Sequence, residues 1–252
     1  MEYFVDKHSV VREIWGKSDT ILLIFAGASA EFALSKAVDW LYFTGRLPAD
    51  PIGRFLSTVS YSQTIAFSEK NAAIRAIDAI ASIHAAVEES RGMKIPNWAY
   101  RDVLSMLIDY SIRSFELLHR KLTRSEKNEV VLVFTRIGSR MGILDLPGNF
   151  EEWEKMRKED LERNLEHCDY TTDLFRQYKK KLGLFNYIVL LEAQKLVVPA
   201  CVREMLGLRK VSWLLPLIVF YKFCANLRIS RPLKLAFLFS KYKKEIRALD
   251  VR

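Results

Sequence analysis

The chain has four histidines, and His84 occupies the position with the clearest potential for chemistry. It lies in the segment AIDAIASIHAAVEES, residues 76–90, where Ile77, Ile80 and Val87 recur at helical spacing on one apolar face that also includes His84. A neutral imidazole is a common ligand for transition metals and haem iron, but a histidine can also be buried simply because it binds a carbonyl group. Periodicity alone therefore leaves a ligand and a packed core histidine as alternatives, and it favours the packed histidine.

Other candidate motifs lack the partners that their chemistry requires. The sequence has no HExxH, glycine-rich phosphate loop or GxSxG, which disfavours zinc peptidases, P-loop enzymes and α/β-hydrolases. Glu116 and His119 form one E-x-x-H element, but a di-iron bundle needs two such elements and two further glutamates. We therefore expect both residues on the polar side of their helix. His167 and Cys168 are adjacent, and neighbours on a helix point in different directions, so they do not pair as base and nucleophile.

Haem is the cofactor for which a single buried histidine is sufficient. The porphyrin supplies four equatorial nitrogens, so the protein need add only one axial ligand. His84 is the best placed of the four, because His8 is close to the terminus and His119 and His167 have charged neighbours. Half of the residues are hydrophobic and the mean hydropathy is +0.01, a composition that suits an apolar slot around a porphyrin.

The elements that must position these residues are helices. Between ten glycines and seven prolines, most of the chain has helical periodicity, which predicts an all-α fold. Thr123 and Glu126 have capping-box form, and Asn149 begins a further helix in a related way. The run EVVLVF at 129–134 therefore belongs to a helix rather than a strand. The clear breaks are GRLPADPIG at 45–53 and the loop around Pro147. Without a linker, residues 1–252 form one domain of about ten helices.

Composition and charge restrict the compartment and the partners. The three cysteines are widely spaced, no apolar run is long enough for a membrane span and the N-terminus lacks signal-peptide features, so we expect a cytoplasmic protein. The net charge is +9, but no nucleic-acid recognition motif accompanies it. Residues 226–252 predict a basic amphipathic helix. Its stretch LKLAFLFSKYKKEIR could rest on an anionic bilayer, although such runs are more often solvated.

Four segments are informative when they are read together: AEFALSKAV at 30–38, LPADPIGRFLSTV at 47–59, AIASIHAAV at 79–87, and the stretch from IPNWAYRD to GILDLP at 95–147. In their order and spacing they resemble the haem-dependent oxygenases that include bacterial latex-clearing proteins and fungal MpaB-type oxygenases. The similarity extends from about residue 10 to about residue 225. It implies a helical bundle with a globin-like core that binds haem b through a proximal histidine. In this sequence that histidine is His84, on the helix IASIHAAV.

The resemblance also implies roles on the other face of the haem. Latex-clearing proteins carry an Arg-x-x-Lys-Thr pattern there, which is matched by Arg54, Ser57 and Thr58. Arg54 and Thr58 are the candidates for orienting dioxygen or a haem propionate. Ser57 replaces the lysine that can cap the iron in those proteins, which implies an open or water-bound distal position.

A distal carboxylate is a further element of the family site. It resembles Glu31 by its place in AEFALSKAV, and Asp39 is the competing assignment. A carboxylate in an apolar haem pocket would have a raised pKa and could act as a base at neutral pH. The alternative is that Glu31 pairs with an arginine or a helix end, and the sequence leaves both open.

The family chemistry implies a haem b oxygenase that uses dioxygen to cleave a carbon–carbon double bond in a lipophilic substrate of isoprenoid type. The lack of a secretion signal favours a small prenyl compound, inside the cell or dissolved in a membrane, over extracellular rubber. Two other functions remain compatible with the sequence. One is a haem-binding or sensor protein without catalysis, and the other is a cofactor-free helical interaction module.

Overall fold

Helices joined by short loops make up the computed structural model, which describes residues 2–45, 50–226 and 250. Within these residues the fold is all-α, as predicted, and its only β-structure consists of the isolated bridges Tyr3–Glu69 and Ser35–Leu165. The helices are α1 (Val10–Trp15), α2 (Ser18–Phe32), α3 (Val38–Phe43), α4 (Pro51–Phe67), α5 (Lys70–Arg91), α6 (Asn97–Leu118), α7 (Arg124–Arg140), α8 (Phe150–Arg163), α9 (Asp169–Val197), α10 (Ala200–Met205) and α11 (Leu215–Asn226).

Local capping determines where several helices begin. The capping box predicted before α7 is present, since the Thr123 side chain accepts from the Glu126 N–H and Glu126 accepts from the Thr123 N–H. The run EVVLVF lies within α7, as predicted. Asn149 caps α8 through the N–H of Glu152 at 2.9 Å. The predicted break at 45–53 ends earlier than expected, because α4 already begins at Pro51. The Asp50 side chain caps this helix, and a proline at the first helical position has a φ angle that suits a helix.

The main core forms where α2 packs against α6. Gly27 permits their close approach, because a Cβ atom at this position would lie 2.3 Å from the ring of Tyr110. Phe115 and Ile24 are fully buried in the same core. The helix pair α4 and α5 packs alongside and is joined by a connection of only two residues, so α4 and α5 are neighbours in both sequence and space.

Helix α11 is the last described helix, and Asp250 is the only described residue after it. An amphipathic helix is predicted for residues 226–252, of which 227–249 and 251–252 lie outside the described residues. Among the helices that are described, none combines the length and apolar character needed to cross a bilayer.

Candidate functional site

A large apolar cavity lies among helices α1 to α7, and α9 contributes to its wall. Its volume is about 970 Å³, which is near the upper end of the range of about 300–1,000 Å³ for ligand sites. Aromatic side chains form much of the wall, among them Phe25, Trp40, Phe55, Tyr100 and Phe134. Polar groups are few, and they include all four residues that the sequence assigned to the haem from α4 and α5: Arg54, Ser57, Thr58 and His84.

His84, on α5, lines this cavity with an uncommitted nitrogen. Its Nδ1 atom is buried and has no hydrogen-bond partner. Burial, and then the positive charge of Arg54, lowers the pKa of the imidazole, while the charge of Glu88 opposes the shift. The ring is therefore neutral at pH 7. At Nδ1 it lacks the carbonyl partner expected of a packed core histidine, and a neutral ring with a free nitrogen is what an axial metal ligand requires.

Two residues beside His84 received no role in the sequence analysis. The ring of Tyr100 meets the His84 ring edge-on, with the centroids 5.2 Å apart. Its hydroxyl donates to Glu88 Oε1 at 3.1 Å. Burial alone would raise the pKa of Glu88, but hydrogen bonds from Lys94, from the Ile95 N–H and from Tyr100 lower it overall. In the sequence, the only indication that Glu88 lies near His84 is its position one helical turn later.

Helix α4 contributes the other polar groups of the cavity. Arg54 and Thr58 are half-buried and Ser57 is exposed, and all three line the wall. The Thr58 hydroxyl donates to the backbone carbonyl of Arg54 at 2.9 Å, which leaves its lone pairs to accept from a bound molecule. Arg54 and His84 line the same cavity, and the charge of Arg54 lowers the pKa of His84.

Glu31 does not line the cavity, whereas its predicted role as a base requires a place in the haem pocket. Arg157 donates from both of its terminal nitrogens to the two Glu31 oxygens at 2.6 Å, and Tyr110 donates to Glu31 at 2.8 Å. Glu31 and Arg157 are only 4% and 5% exposed. Bidentate pairing with arginine is among the strongest polar contacts in proteins. The structure therefore matches the alternative in which Glu31 pairs with an arginine.

Asp39, the competing carboxylate, is also paired rather than directed into the cavity. Arg91 donates to Asp39 Oδ2 at 2.6 Å, and the guanidinium lies 4.0 Å from the ring centroid of Trp40. Trp40 itself lines the cavity. The Asp39–Arg91 pair thus fastens the end of α5 to α3 at the edge of the cavity.

The E-x-x-H element on α6 has structural partners. Glu116 accepts from Lys121 and from the Leu122 N–H, and it pairs with Lys127 at 3.0 Å. His119 Nε2 lies 3.0 Å from the Thr20 hydroxyl. These contacts connect the end of α6 to the start of α7 and to α2. In the parts of the chain that the structure describes, no group of three or more His, Cys, Asp or Glu side chains is arranged to hold a metal ion.

Comparison with known proteins identifies the family. A family model described as "ER-bound oxygenase mpaB/B'/Rubber oxygenase, catalytic domain" matches residues 15–228. The chain belongs to this family. As a member of the mpaB and rubber oxygenase family, it has an oxygenase-type function. The match includes His84 and the α4 residues Arg54, Ser57 and Thr58. No curated protein and no solved structure matches the chain.

Proposed function

We propose that the protein is a haem b-dependent oxygenase that cleaves a carbon–carbon double bond of a lipophilic substrate of isoprenoid type. The observation that carries the proposal is the buried, unpartnered Nδ1 of His84 in the wall of an apolar cavity of about 970 Å³. Family membership supports the oxygenase class. The residues present fit haem, because its iron needs one axial side chain and the neutral imidazole of His84 is uncommitted.

Each polar side chain of the cavity would have a separate role. His84 would hold the iron, and bound haem would supply the chemistry with dioxygen that these side chains lack. Arg54 would offset the charge of a propionate or donate to a polar oxygen, and Thr58 would accept a hydrogen bond. Ser57 is too short to replace a capping lysine, so it would leave the distal position open. The aromatic wall would exclude water and hold the alkene.

The overall reaction balances without an added reductant. One molecule of dioxygen reacts with one double bond, the bond between the two alkene carbons breaks, and each carbon leaves as a carbonyl carrying one oxygen atom. The substrate is oxidised and dioxygen is reduced in the same event. A largely apolar cavity is suited to this reaction, since neither the alkene nor dioxygen needs an ionic contact.

The first experiment tests the cofactor. Wild-type protein expressed with ample haem should purify with a Soret absorption band, and His84→Ala should lose most of the bound haem. His167→Ala is the matched control, because His167 is exposed on the loop before α9. Full haem retention by His84→Ala with an unchanged spectrum would reject the axial assignment. Wild-type protein without a Soret band would reject haem dependence.

The second experiment tests the reaction. Haem-loaded protein should consume dioxygen in the presence of a polyprenyl alkene and release two carbonyl products for each dioxygen molecule. A saturated analogue of the same length is the control and should give no uptake. Stable haem binding without any alkene-dependent uptake would instead favour a sensor or carrier.

A third measurement tests the role of Ser57. The ferric protein should lack the spectrum of two nitrogen ligands, and Ser57→Lys should introduce such a spectrum as the pH rises and the lysine loses its proton. Strong ligation by two nitrogens in the wild type, unchanged in Ser57→Lys, would contradict an open distal position.

A further inference from the structure

Exposed apolar side chains cluster on α9 immediately after Gly183. Leu184, Phe185 and Ile188 are 62%, 75% and 41% exposed. Gly183 has φ 75° and ψ 165°, a conformation that side-chain-bearing residues rarely adopt, and it interrupts the helix at this point. Single apolar residues on a surface are ordinary, but three within one and a half turns form a patch that calls for a partner.

Unpaired positive charge borders this patch. Lys179, Lys180 and Lys181 are exposed and directly precede the kink. Among the described residues they make no ion pair, whereas Arg120, Lys121, Arg124 and Lys127, around the junction of α6 and α7, all have carboxylate partners. The lysines are thus available for a negatively charged partner.

A second patch of the same composition adjoins the first. Arg209 and Lys210 are exposed and precede Val211 and Trp213, which are 73% and 50% exposed. The Trp213 N–H donates to Glu192 Oε2 at 3.1 Å. Glu192 follows Ile188 by one helical turn, so the hydrogen bond brings the backbone at Trp213 close to the end of the first patch.

Helix α9 carries both the exposed patch and part of the cavity wall. Leu182 and Leu190, on the same helix as Phe185, line the cavity wall. Phe43 and Ile83 also line it and are 47% and 37% exposed, which places them at its rim. Helix α9 packs against α3, which carries Phe43, so α9 contacts the element that forms part of this rim.

We propose that this surface docks on an anionic lipid bilayer and delivers a membrane-dissolved substrate to the cavity. We call it the α9 surface, and its members are Lys179, Lys180, Lys181, Leu184, Phe185, Ile188, Arg209, Lys210, Val211 and Trp213. Aromatic and aliphatic side chains enter the boundary of the acyl chains, while lysine and arginine bind acidic headgroups. Delivery of substrate rests on the proposed function, whereas bilayer binding itself requires no haem.

Charge argues against two other occupants. A symmetric dimer through the α9 surface would bring the lysine runs of both copies into one interface, where like charges repel. The chain's own residues 227–249 are rich in lysine and arginine, including Lys241, Lys243 and Lys244, and therefore do not complement a basic surface. An acidic headgroup layer does.

Vesicle sedimentation tests the proposal. The full-length protein should bind vesicles of phosphatidylcholine with phosphatidylglycerol much more tightly than vesicles of phosphatidylcholine alone, and added salt should weaken the binding. Lys179→Gln with Lys180→Gln should lower the partition coefficient about 25-fold, at about fivefold per lysine. Phe185→Ser should lower it by about tenfold or more.

Matched variants test whether vesicle binding depends on the α9 surface itself or only on the overall charge and hydrophobicity of the protein. Lys155→Gln with Lys158→Gln removes the same charge from exposed positions on α8, and Leu144→Ser removes a side chain that is 66% exposed in a loop. Both controls should bind like wild type, and circular dichroism should show that all variants are folded.

Three results would overturn the proposal. They are equal binding to both kinds of vesicle, an equal loss in the control variants, and a dimer that Phe185→Ser disrupts in a protein that does not bind vesicles. None of these results bears on the cofactor, because the Soret band of the same preparation reports on haem separately. A protein that retains haem but fails the vesicle assay would leave the proposed function intact, and one that binds vesicles without haem would leave the α9 surface intact.

Discussion

Replacement of Arg157 by methionine tests whether the buried carboxylate network holds the fold. In the wild type, Arg157 donates twice to Glu31 at 2.6 Å and from Nε and Nη2 to Asp109 at 3.1 Å. Asp109 would keep its partner Arg113 at 2.5 Å, but Glu31 would retain only the hydroxyl of Tyr110. Removing one member of a buried ion pair costs about 3–5 kcal/mol. We therefore expect Arg157→Met to lower the free energy of unfolding by about that amount, a large share of the ~5–15 kcal/mol typical of a domain.

Urea unfolding followed by circular dichroism measures this loss, and two further variants identify its cause. Arg176→Met is the exposed control, since Arg176 is 71% exposed and pairs with Asp173 at 3.3 Å. Its cost should stay below about 1 kcal/mol. The double variant Glu31→Gln with Arg157→Met should be more stable than Arg157→Met alone. The neutral amide carries no unpaired charge and still accepts from Tyr110.

The reasoning fails if Arg157→Met unfolds within about 1 kcal/mol of wild type. It also fails if the double variant is no more stable than Arg157→Met, because the cost would then come from lost packing rather than from an unpaired carboxylate. Confirmation would show that pairing of the Glu31 carboxylate with Arg157 stabilises the fold.

Three further predictions concern helix ends, packing and pH. Burial and then the charge of Asp160 raise the pKa of Asp102 from 3.8 to about 7, so the folded chain keeps a proton that the unfolded chain releases. The free energy of unfolding should therefore fall as the pH rises through this interval, and urea titrations at several pH values should show a flatter profile for Asp102→Asn. Thr123→Ala removes the capping box of α7 and should cost about 1 kcal/mol in urea unfolding, and a cost near zero would show that the box is dispensable. Gly27→Ala would place a Cβ atom 2.3 Å from the Tyr110 ring, so the melting temperature should fall by an amount equivalent to about 1–3 kcal/mol, unless the ring can move without loss.

The extent to which the sequence predicts this molecule depends on the separation of the interacting residues. Capping contacts join residues three apart, as for Thr123 and Glu126, and both the helix and its start could be read from the chain. The inward position of His84 follows from neighbours within two turns. Its relation to Arg54 was also accessible, because α4 and α5 are consecutive helices with a two-residue connection and must pack side by side.

The role of Glu31 shows where such reasoning stops. Its local sequence fits two environments equally well, an apolar pocket and an ion pair, because both require a buried carboxylate on the inner face of α2. The choice is made by Arg157, 126 residues away, and by Tyr110, 79 residues away. The periodicity of a single sequence does not indicate contacts between residues that are so far apart along the chain. The same three side chains occupy the α2–α6 interface that Gly27 keeps narrow. Contacts between the assembled helices thus direct the carboxylate at position 31 into the core, away from the cavity that α4 and α5 line.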